Sequence, residues 1–420
     1  MRVVMFSINY APDHFGVCPY PPAIADHYAA NGHEVTVVTG VPHYPEWTRK
    51  AVPPRQQGDR NPAIQRRNHF IPRRPGALGR ALYEVSWFIS GLRSMAVGRF
   101  DAAIGIVPSL SGGMLSNIAS NRWKIPFGVV FQDLIGPSAL QSGYRGGGQV
   151  SGFAKTLELL VARHASRVGV ISDAFRPYLV QGGVTSDRID RVRNWSHPSK
   201  ATVARDELRH RLAWAPKDFI CLHAGNMGQK QALDNVLDAA DLLRNDRIRF
   251  ALAGDGNDRE RLERQASARG LTNVQFIGVF GPGEYEALLN ASDLLLVNQR
   301  ASVEEMSLPS KLTSYFVSGR PTVAAASAES ATGREVSASG AGLVVQPENP
   351  YALADALQGL LRDPELGRAY GERGRDYART YLTASAALKE YDDFLDRVVG
   401  RPTMEGRNHR VVRAGGQKIR

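Results

Sequence analysis

The apolar residues of this chain fall into short, nearly continuous runs, and segments with helical spacing separate them. In the N-terminal half the runs are typical of strands buried on both faces, and they lie at 3–8, 34–39, 102–107, 127–131 and 167–171. Helical spacing appears between them at 22–31 and 83–97. Strands that alternate with helices predict a parallel, doubly wound sheet.

The same alternation begins again after a break near 198–204. The second series predicts strands at 219–224, 248–253, 274–277, 294–297, 322–325 and 342–345. It predicts helices at 233–243, 259–269, 283–291, 311–318 and 352–361, with a last helix near 391–399. The pattern therefore predicts an α/β protein with two Rossmann-like, doubly wound domains at 1–197 and 198–385, a closing helix at 386–400 and a tail at 401–420.

Length and cysteine content agree with a globular protein of two domains. The chain has 420 residues, which is too long for one ordinary hydrophobic core. No apolar run is long enough to cross a bilayer, and the first residues predict a strand rather than a signal peptide. The two cysteines, Cys18 and Cys221, do not form a disulfide framework, so we expect a cytoplasmic protein.

The chain is basic, with a formal charge of +11. Such a balance favours anionic partners, which include phosphates, nucleic acid and an acidic membrane face. Arginines crowd the segment 66–99, and the tail 401–420 is basic and interrupted by glycine and proline. We expect this tail to lack fixed structure.

The stretch 308–323 predicts an anion site at a helix start. Pro309 and Ser310 favour the beginning of a helix, and Gly319 favours its end. A helix start has unpaired N–H groups and partial positive charge, so it binds phosphate well. Lys311 lies in the first turn, where a lysine is unfavourable unless an anion is present. The competing interpretation is an ordinary capped helix with a solvated lysine.

Two loops that contain glycine follow predicted strands of the second domain. In the loop 224–234, Gly225 lets a ligand approach the backbone and Lys230 is placed to reach a phosphate, although an ordinary strand–helix turn explains the loop equally well. In the loop 253–257, Gly254 fits a tight turn better than a dinucleotide site. The reason is that Arg259 stands where that motif has its third glycine.

Polar residues after the strands of the first domain are candidates for sugar contact. Asp133 is placed either to meet a sugar or a developing positive charge, or to cap the next helix. The loop after the first strand contains Tyr10, His14 and Gly16. Gly16 would let the loop approach a diphosphate, and His14 would serve as a base unless it is simply solvated.

Other charged residues near the predicted helix start are candidates for the same role, and some chemistries are absent from the sequence. Arg300, Glu305 and Glu329 would contact the sugar, with a solvated surface charge as the alternative for each. The sequence has no Asp-x-Asp pair, no zinc-type spacing of cysteine and histidine, and no Gly-x-Ser-x-Gly motif.

Taken together, these segments resemble the two-domain GT-B glycosyltransferases of retaining family 4, in particular the colanic-acid and O-antigen fucosyl- and N-acetylfucosaminyl-transferase branch. The matching strings cover about residues 1–395. They are Ile8-Asn9-Tyr10-Ala11-Pro12, Gly32-His33-Glu34-Val35, Tyr44-Pro45-Glu46-Trp47, Gln132-Asp133, Asn194-Trp195-Ser196, Gly225-Asn226-Met227-Gly228-Gln229-Lys230-Gln231 and Leu308-Pro309-Ser310-Lys311-Leu312-Thr313.

The resemblance implies a fold with two domains facing a cleft and a retaining transfer from a nucleotide-diphosphate sugar, UDP- or GDP-linked, without metal or other cofactor. It implies catalytic roles for Asp133, Lys230 and Lys311, and contact of the acceptor with Tyr10, His14 and Asp133 in the first domain. It implies that the nucleotide sugar contacts Gly16, Gly225, Asn226, Lys230, Gly254, Arg300, Glu305, Pro309, Ser310, Lys311, Leu312 and Glu329.

The chain also departs from the family pattern. Many members have a pair of glutamates around the phosphate helix, and this chain has Met306 and Ser314 at those positions. Near the N-terminus, Val17-Cys18-Pro19 interrupts the usual glycine- and lysine-containing string. These differences favour a changed acceptor, and they leave a non-catalytic protein that binds nucleotide sugars as an alternative.

The segment 80–99 combines apolar residues with Arg80 and Arg93. In this fold it would dock on the anionic inner face of the plasma membrane and reach a lipid-linked glycan acceptor. The alternative is a core helix with arginines at its rim. A soluble natural-product acceptor is the nearest alternative function, and we do not expect nucleic acid as a partner.

Overall fold

The computed structural model describes residues 1–13, 16–52, 62–73, 76–96, 98–134, 147–197, 199–281, 283–302 and 310–401. It divides the chain into two compact units. Unit 1 joins Met1–Asn194 with the C-terminal segment from Ala387, and unit 2 consists of Trp195–Ala386. The predicted α/β class with two parallel sheets is confirmed.

Unit 1 contains, within the described residues, a sheet of seven parallel strands. In chain order they are β1 (Arg2–Phe6), β2 (Glu34–Gly40), β3 (Ala63–Arg67), β4 (Ala102–Val107), β5 (Phe127–Phe131), β6 (Arg167–Val170) and β7 (Ile189–Arg191). Their order in the sheet is β3-β2-β1-β4-β5-β6-β7. The helices are α1 (Tyr20–Ala30), α2 (Ala77–Leu92), α3 (Leu110–Trp123), α4 (Gly147–His164) and α5 (Arg176–Gln181).

Unit 2 contains a second parallel sheet, in which six strands are described. They are β8 (Phe219–Ala224), β9 (Ile248–Ala253), β10 (Val274–Ile277), β11 (Leu294–Asn298), β12 (Thr322–Ala325) and β13 (Gly342–Val345), in the order β10-β9-β8-β11-β12-β13. The helices are α6 (Arg205–Arg211), α7 (Asp234–Leu242), α8 (Arg259–Ala268), α9 (Glu284–Ala291), α10 (Ser310–Ser318), α11 (Ala331–Ser339), α12 (Pro350–Arg362) and α13 (Pro364–Tyr381). Because the strands are parallel, their carboxyl ends meet at one edge of each sheet.

The predicted strands agree with the structure because uninterrupted apolar runs suit a sheet covered on both faces. Several elements escape the sequence pattern. The edge strand β3 (Ala63–Arg67) is mostly polar, and α3 contains Gly112 and Gly113, which weaken its helical pattern. Two predicted helices need correction, since 83–97 is a helix over Ala77–Leu92 with a 3₁₀ turn at Arg93–Ala96, and 391–399 is part of a longer helix.

That longer helix, α14 (Ala384–Val398), carries the chain back into unit 1. Phe394 and Val398 lie against the middle of β5, and Tyr28 donates a hydrogen bond from Oη to the Tyr391 carbonyl at 2.8 Å. A Cβ built on Gly128 would lie 2.7 Å from Val398 Cγ2 and 2.8 Å from Phe394 Cζ. The absence of a side chain at Gly128 therefore lets α14 pack against the sheet.

Among the described residues, no helix combines the length and the apolarity that a bilayer crossing requires.

We expect Gly128→Ala to lower the free energy of unfolding of unit 1 by about 1–3 kcal/mol, because the added methyl group overpacks the contact with α14. Chemical unfolding followed by circular dichroism measures the change. The control is Gly152→Ala in α4, where nothing lies within 4 Å of the added Cβ. This control should be neutral or stabilising, by up to about 1 kcal/mol. Equal stabilities of the two variants would contradict the packing role of Gly128.

Candidate functional site

The helix α10 is fixed to the carboxyl end of β8 by its buried face. Leu312, Tyr315 and Phe316 are fully buried in the core of unit 2. Tyr315 Oη accepts a hydrogen bond from the Ala224 N–H at 3.0 Å, at the last residue of β8. Since side chains four residues apart lie on the same helix face, this anchor also sets the direction of Lys311.

Lys311 lies over the loop that follows β8. A Cβ built on Gly225 would be 3.4 Å from both Cε and Nζ of Lys311. Gly225 has a φ of +137°, which L-residues with side chains rarely adopt. The structure therefore brings together the ammonium group, the start of α10 and a bare stretch of backbone, and all three favour an anion.

The loops after β8 and β9 are packed backbone against backbone. Gly225 N donates to the Ala253 carbonyl and Met227 N donates to the Asp255 carbonyl, each at 2.8 Å. Gly254, with a φ of +130°, has no room for a side chain, because a Cβ there would lie 2.0 Å from the Gly225 carbonyl oxygen. Gly254 thus supports the neighbouring loop, which agrees with its interpretation as a tight turn.

Lys230 and Arg300 are held next to each other through their backbones. Lys230 lies in the 3₁₀ turn Gln229–Gln231, and its carbonyl accepts a hydrogen bond from Arg300 N at 2.9 Å. Both side chains are exposed. Together with Lys311 they place three cationic side chains around the carboxyl ends of the adjacent strands β8 and β11.

Asn298, which the sequence reasoning missed, holds this loop in place. Its side chain is fully buried at the end of β11. Nδ2 donates to the carbonyls of Gln231 at 2.7 Å and Ala232 at 2.9 Å, and Oδ1 accepts from Asn235 at 2.8 Å. One polar residue at the end of an apolar strand was the available signal for it.

His223 is a second residue that the sequence reasoning missed. It is fully buried in β8, and its Nε2 lies 3.4 Å from the Asn226 carbonyl oxygen. Burial lowers the pKa of His223 well below its ordinary value, and the charge of Lys311 lowers it further. A neutral imidazole therefore lies beneath the loop, and the positive charge of the site resides on the lysine.

The remaining predicted contacts in unit 2 differ in how far the structure describes them. Asn226 is exposed in the loop after β8. The Leu312 side chain is packed in the core, so the prediction that it binds the nucleotide sugar applies to its backbone only. Glu329 is exposed and ion-paired with Arg334 at 2.6 Å. Glu305 and Pro309 lie outside the described residues, as do the side chain of Ser310 and the departure at Met306.

In unit 1, the predicted acceptor residues follow β1 and β5. Tyr10 is buried, and Asp133 is half-buried next to Gln132. Gln132 is held from two sides, because Asn194 donates to its Oε1 at 2.7 Å and its Nε2 donates to Tyr391 Oη at 3.3 Å. His14 lies outside the described residues.

Gly16 is an exposed residue with a φ of +61° in the loop after β1. A Cβ built on it would lie 3.8 Å from Tyr44 Cε1 in the loop after β2. The structure thus places Gly16 beside an aromatic ring of unit 1, and its prediction as a nucleotide-sugar contact stays a prediction. No three histidine, cysteine, aspartate or glutamate side chains in the described part of the chain are grouped to hold a metal ion.

Comparison with known proteins agrees with this architecture. The family described as "Glycosyl transferases group 1" matches residues 204–377, and the "Glycosyl transferase 4-like domain" matches residues 15–195. The chain is 31% identical over 419 residues to the putative colanic acid biosynthesis glycosyl transferase WcaI of Escherichia coli (strain K12). That match covers 93% of this chain and 98% of the relative.

Solved structures share the fold at low sequence identity. Sucrose-phosphate synthase from Thermosynechococcus elongatus gives a TM-score of 0.70 at 16% identity and covers 99% of both chains. Anabaena HepE in complex with UDP gives a TM-score of 0.69 at 14% identity, over 94% of this chain and 100% of that one. The fold of this chain is therefore that of GT-B glycosyltransferases, and on the strength of its sequence matches the chain belongs to the glycosyl transferase group 1 family and is a glycosyltransferase.

Proposed function

We propose that the protein transfers a sugar from a nucleotide-diphosphate sugar to an acceptor hydroxyl in the synthesis of a cell-surface polysaccharide, with retention of anomeric configuration. The observation that carries the proposal is the position of Lys311 Nζ over Gly225 at the start of α10. The relative WcaI is described as a colanic acid biosynthesis glycosyl transferase, and HepE shares the fold and binds UDP. The first supports an acceptor of this class, and the second supports a nucleotide-diphosphate sugar as donor, which we propose is UDP- or GDP-linked.

The chemistry needs stabilisation of the negative charge that develops on the leaving nucleotide diphosphate. Lys311, the N–H groups at the start of α10 and Lys230 would supply it from fixed positions, which is the effective form of electrostatic catalysis. No metal is required in this scheme. The bond from the anomeric carbon to the phosphate oxygen breaks, and the acceptor oxygen attacks from the same face.

The proton of the acceptor hydroxyl would pass to the leaving phosphate, so the scheme needs no nucleophile from the protein. Asp133 would orient the acceptor or stabilise the positive charge on the sugar ring. Arg300 would add positive charge near Lys230, to which its backbone is bonded at 2.9 Å. The positions of these residues at the carboxyl edges of the two sheets support the proposed roles.

The first test is Lys311→Ala. We expect the Kd for UDP, GDP or TDP, whichever the wild type binds, to rise about 10- to 100-fold, because a charge-assisted contact of roughly 1.5–3 kcal/mol is lost. Thermal stabilisation by a panel of nucleotide sugars identifies the ligand, and calorimetry gives the Kd. Lys217→Ala is the control, since Lys217 is an exposed lysine of unit 2 in the turn that precedes β8.

Equal stabilisation of wild type and Lys311→Ala by the same nucleotide sugar would contradict the diphosphate site. Binding without any turnover on glycan acceptors would favour the non-catalytic alternative.

The helix α2 supports a membrane-bound acceptor. Its exposed apolar residues recur every three or four positions and form one stripe, which we call the apolar stripe: Leu78, Leu82, Val85, Ile89 and Leu92. Tyr83 and Trp87 are buried on the other side of the helix, and so is Met95 just beyond it. Arg80, Arg93 and Arg99 are exposed nearby. We propose that this stripe docks on an anionic membrane surface, at the cytoplasmic face if the protein is cytoplasmic.

The paired change Leu82→Gln and Ile89→Gln tests the apolar stripe. We expect binding to vesicles of phosphatidylcholine with phosphatidylglycerol to weaken at least about tenfold, because two apolar side chains of the stripe are lost. Vesicle flotation measures it, with Val180→Gln, an exposed apolar site of unit 1, as control. Equal flotation of all variants would argue against docking, and turnover of a water-soluble acceptor without vesicles would favour the natural-product alternative.

A further inference from the structure

Four aromatic rings of unit 1 contact one another at the carboxyl edge of its sheet, and we call them the aromatic cluster: His43, Trp47, His69 and Tyr83. The His43 ring lies 5.5 Å from that of Trp47, 5.2 Å from that of His69 and 5.3 Å from that of Tyr83, centroid to centroid. Tyr83 is 5.5 Å from Trp47 and 5.1 Å from His69. The rings come from the loops after β2 and β3 and from α2.

A buried carboxylate fixes the loop that carries most of this cluster. Asp13, which is 3% exposed, accepts hydrogen bonds at Oδ2 from the backbone N–H groups of His43 and Tyr44, each at 3.0 Å. Lys50 Nζ lies 3.5 Å from Asp13 Oδ1. The loop after β1, which contains Tyr10, is therefore tied to the loop after β2. Both follow adjacent strands at the edge where parallel sheets bind ligands.

Trp47 has a conformation that core packing alone does not require. Its φ is +52°, in the left-handed region that is costly for a bulky side chain. Neighbouring rings pack against its side chain, which is half-buried and so partly exposed. Strained residues of this kind gather at ligand sites, where the strain fixes a group in advance. The face of an indole ring is electron-rich, and it attracts the weakly positive C–H face of a sugar ring.

His43 packs against this ring as a neutral imidazole. Its Nδ1 lies 2.8 Å from the Val41 carbonyl oxygen and must donate to it, and burial lowers the pKa of His43, so the ring is neutral. Nε2 then has a free lone pair. The side chain is 1% exposed, and within the described residues Nε2 has no hydrogen-bond partner. Nε2 is itself enclosed by protein, so His43 supports the neighbouring indole and no ligand atom reaches this nitrogen.

His69 is a second neutral imidazole of the cluster. Its Nε2 accepts from Val41 N at 3.2 Å and its Nδ1 lies 3.0 Å from the Phe70 carbonyl oxygen, so both nitrogens are used by the backbone. Burial lowers the pKa of His69 to about 4. His43, His69 and Tyr83 therefore act as walls of the cluster, and Trp47 is the ring left to contact a ligand.

We infer that the aromatic cluster binds a pyranose ring of the acceptor, with Trp47 stacking on the C–H face of the ring. That the bound sugar belongs to the acceptor rests on the proposed function, whereas sugar binding at the aromatic cluster is independent of it. The inference specifies the substrate class, because it requires that the acceptor end in a sugar. A bare lipid phosphate or a polypeptide hydroxyl would not fit it.

The test measures binding of simple glycosides to the full-length protein without any nucleotide. The probes are methyl α- and β-glycosides of glucose, galactose, fucose and N-acetylglucosamine, observed by saturation-transfer NMR. We expect at least one glycoside to receive saturation on its ring C–H protons, with a Kd that rises about tenfold or more in Trp47→Ala. Trp47→Phe, which keeps an aromatic face, should retain part of the affinity and covers the case in which Trp47→Ala does not fold.

Trp123→Ala is the matched control. Trp123 is also a half-buried indole of unit 1 against one aromatic ring, Phe100 at 4.9 Å, but it lies at the end of α3 that leads into the start of β5. We expect Trp123→Ala to leave glycoside binding unchanged.

Two results would overturn the inference: no glycoside of the panel binds the wild type, or one binds wild type, Trp47→Ala and Trp47→Phe equally. Nucleotide binding by Trp47→Ala should equal that of the wild type, because Lys311 and Gly225 belong to unit 2. If the wild type binds a glycoside but no nucleotide or nucleotide sugar, the proposed transferase reaction is refuted. The inference that the aromatic cluster binds a sugar would still hold.

Discussion

The hydrogen bond between Tyr315 Oη and the Ala224 N–H is the constraint on which the proposed phosphate site of unit 2 depends. It ties α10 to the end of β8, while Leu312 and Phe316 hold the same face of the helix in the core. With the helix fixed in rotation, Lys311 is directed to the glycine backbone at Gly225. A lysine at a helix start is electrostatically unfavourable, so the core must stabilise this arrangement until an anion compensates the charge.

The loops that follow β8, β9 and β11 are also fixed by close contacts. Gly254 has no side chain, and its backbone therefore packs directly against the Gly225 carbonyl. Asn298 donates to the Gln231 carbonyl, and it adds a second hydrogen bond to the Ala232 carbonyl, which also accepts from Asn235 N at 3.1 Å. The result is a rigid surface with cationic groups, and rigidity is what electrostatic stabilisation of a leaving group requires.

The sequence indicated elements of this arrangement where the signal was local. Apolar runs located the strands, and the Pro309–Gly319 segment located α10. The glycines after β8 could be noted as sites of close approach, but which atom approaches could not be known. Lys311 and Gly225 are far apart in the sequence, and the parallel order of β8 and β11 brings them together.

Residues whose role depends on distant partners were not predictable in this way. In the sequence, His43 is an isolated loop histidine. Only the tertiary structure places Asp13, Tyr83 and Trp47 around it. The helix α3 was missed because Gly112 and Gly113 lower its propensity, although close packing against the Phe6 carbonyl needs Gly112. Fold class thus follows from pattern, whereas the ligand contacts follow from tertiary structure.

The helix α2 takes part in both proposals for unit 1, membrane docking of the apolar stripe and sugar binding by the aromatic cluster. Its outer face has the apolar stripe with Leu82 and Ile89, and its inner face contributes Tyr83 to the aromatic cluster. Glu84, the next residue, accepts hydrogen bonds at Oε2 from Ser109 Oγ at 2.8 Å and Ser111 N at 3.1 Å, which fixes α2 to the start of α3. A sugar that enters the cluster is therefore separated from a membrane on the stripe by the width of one helix, roughly 10 Å. That distance suits an acceptor whose sugar is attached to a lipid headgroup. It gives a physical reason why one helix carries both the apolar stripe and a ring of the aromatic cluster.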